Sequence, residues 1–470
     1  MCLSCAPRAR QGESTGWMRL GIVLACLSWA AIAGAGAAYL PEGGAGRRYS
    51  PEEPLGRLSF GSCNDQRKGD RQSIWQGVLG SRPDVWLWLG DNIYADKKMK
   101  FYPKEFAKST IEQMRGMYET QRSVPAYREL RDTVGKIVGT WDDHDYGLDD
   151  AGKEFPYKKE SQQLFLDFLD VPQDSHLRRQ EGVYNAHVFG PPGRRVKLVI
   201  LDTRYHRDPL FSNGDVLGEE QWKWLEAELA ASDAQVNIIA SSIQFIPNHH
   251  ETLCPLCYPK QSPFRVESWS HFQREKKRLG EIVARNGVEG VILLSGDVHF
   301  GEILMSPPGC TLPYNLFELT SSGMTHAASG SFPKIPLEIM KRFSPNPFGL
   351  GMYLERNFGT VDFDWEGATP VVTLSVRDHD GNPVLQKNVS VEDLRLPSDG
   401  NSMQEGKRPG ACTHEGELLW PNRCRFCIIL FSGFAVAIFL ALRAVLSILA
   451  FLKYCFHLAV HRGETKRKDH

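Results

Sequence analysis

The stretch 138-VGTWDDHDYGLDD-150 decides how the rest of this 470-residue chain is read. Lys136-Ile-Val-Gly-Thr140 is an apolar, β-branched run, and it delivers a cluster of carboxylates around one histidine. Asp142, Asp143, His144, Asp145, Asp149 and Asp150 crowd together, with Gly147 as a turn residue between them. So many acids repel one another unless a cation or water screens them. Taken alone, the cluster reads equally well as a solvated acidic loop.

The same pattern recurs along the chain. Residues 57–61 read as a strand ending in 62-SCND-65, and the buried run at 84–89 empties into 90-GDNIYAD-96. Adjacent strands are expected at 183–189 and 195–201, the second ending in Asp202-Thr-Arg204. Another at 236–241 leads to Gln244, and one at 288–294 ends in 295-SGDVH-299. Helical patterns fall between them, at 73–79, 101–131, 160–169, 221–231 and 269–286. Alternating segments lie beyond them at 315–319 and 371–376. Strand ends that meet at one sheet edge bring their loops into a shared cleft. Each site alone is weak; the ordered set is hard to explain as chance turns.

Two apolar segments bracket this material. Residues 20–38, preceded by Arg8, Arg10 and Arg19, read as a secretory signal or an uncleaved anchor, and both put the chain beyond Tyr39 on the non-cytosolic side. Residues 39–56 are a linker, 57–396 the main domain and 397–425 a second polar linker. Residues 426–452 are long enough to cross a bilayer, although Arg443 interrupts them. The basic tail at 453–470 favours the cytosol. Lys466 and Lys468 match a dilysine retrieval signal for the endoplasmic reticulum, and a stop-transfer flank explains the same lysines. A net charge of −1 argues against nucleic acid as the main partner. The eleven cysteines do not form a dense disulfide framework. Cys254 and Cys257 form one CxxC, which is a disulfide or half a zinc site; Cys412 and Cys424 precede the second apolar segment and Cys427 lies at its start, and these three are candidates for pairing too. Asn388-Val-Ser390 is a glycosylation sequon, consistent with a lumenal glycoprotein.

The strand-end motifs resemble those of the metallophosphatases, and most closely the PhoD-type alkaline phosphatases and phosphodiesterases. The resemblance rests on FGSC at 60–63, GDNIY at 90–94, WDDHDYG at 141–147, LDTRYHRD at 201–208, LGEEQWKWLEAEL at 217–229 and GDVH at 296–299. It implies an α/β fold, a four-layer α/β/β/α sandwich with two or more metal ions in a cleft between its loops. Cys63, Asp91 and Tyr94 match the family's ligands for one ion, and thiolate with phenolate would favour ferric iron there. Asp143 would be the bridging carboxylate, with Asp142 an alternative, and His144 would be the general acid. Asp297 and His299 stand where the superfamily has its last ligand pair. Asp297 in place of a histidine makes the second site oxygen-rich, suited to Ca²⁺, Mg²⁺ or Mn²⁺. Arg204 is either a clamp for a phosphate oxygen or a structural salt-bridge partner. Asp149, near a place where relatives often have Asn, is a further candidate metal ligand whose extra charge would shift the metal preference there. The superfamily's middle histidine is not evident, and Gln244 is the substitute. The amino-terminal β domain of bacterial members has no counterpart.

The implied activity is metal-dependent hydrolysis of phosphate monoesters or diesters by a membrane-tethered lumenal or extracellular domain. A non-catalytic lumenal binding protein that keeps the sandwich and one structural ion is the alternative. A thiol oxidoreductase would rest on Cys254 and Cys257 alone, without a thioredoxin-like βαβ context.

Overall fold

Val85–Leu89 is a strand buried along its whole length. Alternate residues of a strand face opposite ways. Accordingly Val85, Leu87 and Leu89 join one large core cluster, while Trp86 and Trp88 join a second. The computed structural model describes residues 49–98, 106–210, 212, 214–247, 267–331, 348–397 and 420–465.

In chain order the strands are β1 (Arg57–Gly61), β2 (Val85–Leu89), the two-residue β3 (Lys97–Lys98) and β4 (Phe106–Ala107), β5 (Lys136–Thr140), β6 (Asn185–Phe189), β7 (Val196–Ile200), β8 (Val236–Ala240), β9 (Val291–Ser295), β10 (Gly301–Ser306), β11 (Leu316–Ser321), β12 (Gly349–Tyr353), β13 (Asn357–Asp364), β14 (Val371–Asp378) and β15 (Pro383–Ser390). One sheet has the order β15-β14-β13-β1-β2-β5 and another β12-β10-β11-β9-β8-β7-β6. Neighbours among β1, β2 and β5 run parallel, as do neighbours among β7, β8, β9 and β11. Antiparallel strands complete each sheet; β1, for example, pairs with β13. Leu58, Phe60 and Leu374 of the first sheet share the large cluster with Ile238, Leu293 and Leu319 of the second, so the sheets are held by one apolar core.

Helices cover the remaining apolar faces. From Ile74–Gly80, Trp75 meets Trp86 and Trp88 edge-on at 5.0 and 5.2 Å between centroids. Glu219–Ala230 contributes Trp222, Leu225 and Leu229 to the large cluster, and Gln273–Arg285 contributes Leu279, Ile282 and Val283.

The helix expected over 101–131 is more broken than its pattern suggests. Its described part begins with β4 and then forms Ile111–Ser123 and Pro125–Thr133. Thr110 and Gln113 make a capping box at the first helix. Val124, before a proline, takes an extended backbone and ends it, while Pro125 opens the next. Towards the C-terminus, Trp420–Thr465 is one helix of 46 residues. Its stretch Phe431–Phe456, with mean hydropathy 2.5 and exposed side chains, is long and apolar enough to cross a membrane.

Residues 1–48, Cys254, Cys257, Cys412, Lys466 and Lys468 lie outside the described residues, so the expectations placed on them do too. Cys424 and Cys427 fall within the last helix. Cys310 is disulfide-bonded, while Cys63 and Cys455 are free thiols.

Candidate metal centre

Parallel strands of both sheets release their chains into loops that carry the site. Cys63 follows β1, Asp91 follows β2, Asp142 and Asp143 follow β5, and Asp297 and His299 follow β9. Four of these leave their strand in the left-handed backbone region: Cys63, Asp91, Asp297 and His299, with φ of 57°, 50°, 70° and 63°. That conformation costs free energy for a residue with a Cβ, and such strain collects at functional sites. The strand ends also crowd. Gly90 has φ +88°, and a Cβ there would sit 2.4 Å from that of Asp142.

Among the described residues, two groups of three side chains bring possible ligand atoms within 4.8 Å of one another. One is Cys63, Asp91 and His299; the other is Asp91, Asp143 and His144, so Asp91 belongs to both. Cys63 Sγ lies 3.5 Å from Asp91 Oδ2 and 2.9 Å from Ser322 Oγ. Tyr94 stands beside the first group, its hydroxyl 3.2 Å from His299 Nε2. The tight turn Asp143–Tyr146 sets the second group: the His144 amide donates to Asp143 Oδ1 at 2.9 Å, and the Asp150 amide donates to Asp143 Oδ2 at 2.7 Å. On its side chain, His144 Nδ1 pairs with Asp96 Oδ1 at 2.7 Å, while Nε2 lies 3.9 Å from Asp149 Oδ1.

Asp142, Asp149, Gln244 and Asp297 lie outside both groups. Asp142 Oδ1 accepts from Ser242 Oγ at 2.7 Å and from Arg204 Nε at 2.5 Å, whereas its buried Oδ2 has no hydrogen-bond partner. Arg204 is fully buried, and its Nη2 is 2.7 Å from Glu267 Oε2. Glu267 reaches Arg207 at 2.6 Å as well. Gln244 lies between β10 and β11, donating to Thr320 Oγ1 at 2.8 Å and to Glu302 Oε2 at 3.4 Å. Three residues that the strand-end pattern did not single out also touch the site: Asp96, Ser322 and His326. Asp96 was visible at the end of the GDNIYAD motif; the other two sit in a small-residue turn with no ligand spacing.

The electrostatics describe a site short of positive charge. Burial, then Asp91 and Asp297, push the Cys63 thiol well up. Burial and the same Asp91 raise Tyr94. Asp297 is raised by burial and by Asp142 and Asp143. Burial and then Asp143 put Asp149 at about 7. Asp142 sits at about 6, pushed up by burial and held there by the opposing charge of Arg204. Burial also acts on Asp143, but His144 and Arg204 overcome it and bring that carboxyl below its usual range. Thiol, phenol, imidazole and carboxylates this close, with one carboxylate oxygen buried and unpartnered, fit a donor set built for cations.

The chain resembles known proteins in sequence and in fold. A family model described as PhoD-like phosphatase matches residues 58–333. Alkaline phosphatase D of Bacillus subtilis (strain 168) is 22% identical over 283 residues, covering 52% of this chain and 46% of that protein. The chain therefore spans about half the length of this curated relative. A solved structure described as that of PhoD superimposes with a TM-score of 0.53 at 18% identity, over 72% of this chain and 69% of the other. At that identity the likeness concerns the fold.

Proposed function

The chain belongs to the PhoD-like phosphatase family, and from that premise we propose that it hydrolyses phosphate esters with the help of bound metal ions. The observation that carries the proposal is the double membership of Asp91, one carboxylate common to two adjoining donor groups. We assign Cys63, Asp91, Tyr94 and His299 to one ion, taken as ferric from its thiolate and phenolate. Asp91 and Asp143 would hold a second, with Asp142 and Asp297 as further oxygen donors that would suit Ca²⁺, Mg²⁺ or Mn²⁺. Asp91, common to both groups, would join Asp143, to which the resemblance gives the bridging role, in holding the two ions together. When bound, such ions would supply charge neutralisation at the phosphoryl oxygens and a water acidic enough to react near neutral pH.

The chain's own residues do the rest. Asp96 fixes the His144 ring through Nδ1, and Nε2 is the nitrogen that would carry a proton to the departing alkoxide. Arg204 holds Asp142, and Glu267 joins Arg204 to Arg207 in a buried network that keeps the β5 loop in place. We read the two sheets and their covering helices as the four-layer α/β/β/α sandwich of this family.

We also propose that Phe431–Phe456 tethers the protein, with the catalytic domain lumenal or extracellular. The disulfide at Cys310 and the exposed sequon residue Asn388 support that side of the membrane. The test of the activity is release of p-nitrophenol from p-nitrophenyl phosphate and from bis(p-nitrophenyl) phosphate by the full chain in detergent. Turnover should disappear with a strong chelator and return with iron and calcium. Undiminished turnover after complete metal removal contradicts the reading.

A further inference from the structure

The Cys63 edge of the centre carries positive charge for which the hydrolytic residues have no use. After β11 the chain turns back onto the end of β1: the amides of Thr325 and His326 donate to the Cys63 carbonyl at 3.3 and 3.2 Å. His326 is thereby fixed against the centre. Its ring stacks on His299 at 4.3 Å and lies 5.3 Å from the Tyr94 ring. Its Nδ1 is buried and has no hydrogen-bond partner.

The loop after β1 supplies two cations, Lys68 and Arg71, the Arg71 amide donating to the Lys68 carbonyl at 2.9 Å. Arg71 Nη1 donates to the Thr325 carbonyl at 2.9 Å; of the charges that reach the His326 imidazole, the Asp65 carboxylate comes first, followed by His144, Lys68 and Arg71. A third cation, Arg356, donates to the Arg71 carbonyl at 3.2 Å. The acids close by are otherwise engaged or face solvent. Asp65 is bound by Arg67 at 2.7 Å, Glu355 accepts from Ser329 Oγ at 2.5 Å, and Asp70 is exposed and forms an ion pair with neither Lys68 nor Arg71. Among the described residues, neither Lys68 nor Arg71 has a carboxylate partner.

A single phosphoryl group would be neutralised by the metal ions. On such a substrate Lys68, Arg71 and the unpartnered His326 Nδ1 beside the centre have nothing to bind. Charge-assisted hydrogen bonds to phosphate oxygens would satisfy all three. Ordinary surface cations explain Lys68 and Arg71, but they leave the His326 nitrogen without an account.

We propose that Lys68, Arg71 and His326 form a subsite for a second phosphate on the substrate, so that the enzyme prefers phosphate esters bearing two phosphate groups. This rests on the hydrolase reading above and names its substrate class.

The test compares fructose 1,6-bisphosphate with fructose 6-phosphate, measuring phosphate release by the full chain in detergent with iron and calcium. The expected kcat/KM is about tenfold higher for the bisphosphate, the scale of one hydrogen bond to a charged group. Arg71→Gln and Lys68→Gln should each bring that ratio toward one, chiefly through KM, and Arg71→Lys should restore most of it. Lys68 is exposed, so its variant separates subsite loss from misfolding. A wild-type ratio near one, or a ratio that neither Gln variant changes, overturns the inference. Cleavage of bis(p-nitrophenyl) phosphate with neither sugar ester touched overturns it alone. No turnover of any of these esters removes the hydrolase reading and this inference with it.

Discussion

His144 is the residue whose role is most open to a chemical test. Its ring is oriented by a buried carboxylate, Asp96, at 2.7 Å, and a proton donor held this way matters most when the leaving group is a poor one. His144→Gln should therefore lower kcat about a hundredfold for an alkyl phosphate. It should cost much less for p-nitrophenyl phosphate, whose phenolate departs with little help. Asp96→Asn should reproduce the same leaving-group dependence at about a tenth of the size, since it disturbs orientation and not the donor itself. Equal losses on both substrates would make His144 a ligand or a structural residue. Asp96 was within reach of a sequence reading because it ends the GDNIYAD motif. His326 was not: Thr320-Ser-Ser-Gly-Met-Thr-His326 has neither acid nor metal-ligand spacing, and its position depends on two hydrogen bonds to the far end of β1.

At the scale of the element, the strands that carry ligands were legible for a simple reason. Parallel strands covered on both faces read as unbroken apolar runs, so Val85–Leu89 and Val291–Ser295 stand out and their polar ends point to the site. The pairing of β1 with β13, some 300 residues away, leaves no trace in local periodicity. Helix boundaries at Val124 and Pro125 were obscured because an amphipathic pattern continues across the break.

The same element scale explains Gln244, which the motif order had suggested as a ligand. It lies between β10 and β11 against Glu302, a buried carboxyl that burial pushes up to about 8 from an ordinary value of 4.5. A carboxyl whose pKa is raised by folding keeps a proton that the unfolded chain has lost. Stability therefore falls as pH rises from about 4.5 to about 8, and the penalty stays constant above that. Glu302→Gln removes the penalty. Its melting temperature should match wild type near pH 4.5 and exceed it by about 2 °C or more at pH 8.5. A variant that is less stable at both pH values would assign Glu302 an ionised, paired role.

The whole molecule is a family member that matches a curated relative over about half of that protein's length and carries a long apolar helix. The proposed lumenal tethering makes a direct prediction. Glycosidase treatment should shift the mass of the membrane-bound protein, Asn388→Gln should abolish the shift, and external protease should leave the central domain of sealed vesicles intact. Digestion of that domain, with the C-terminal tail spared, reverses the orientation.

The whole account rests on cations gathered by ligands from both sheets. The most direct measurement is metal analysis of the full chain purified without added metal, together with its visible spectrum, for wild type, Tyr94→Phe and Asp91→Asn. We predict more than one metal ion per wild-type chain, a phenolate-to-iron absorption lost in Tyr94→Phe, and a loss of both ions in Asp91→Asn. A wild-type chain that binds no metal, even after incubation with ferric and calcium ions, contradicts the account.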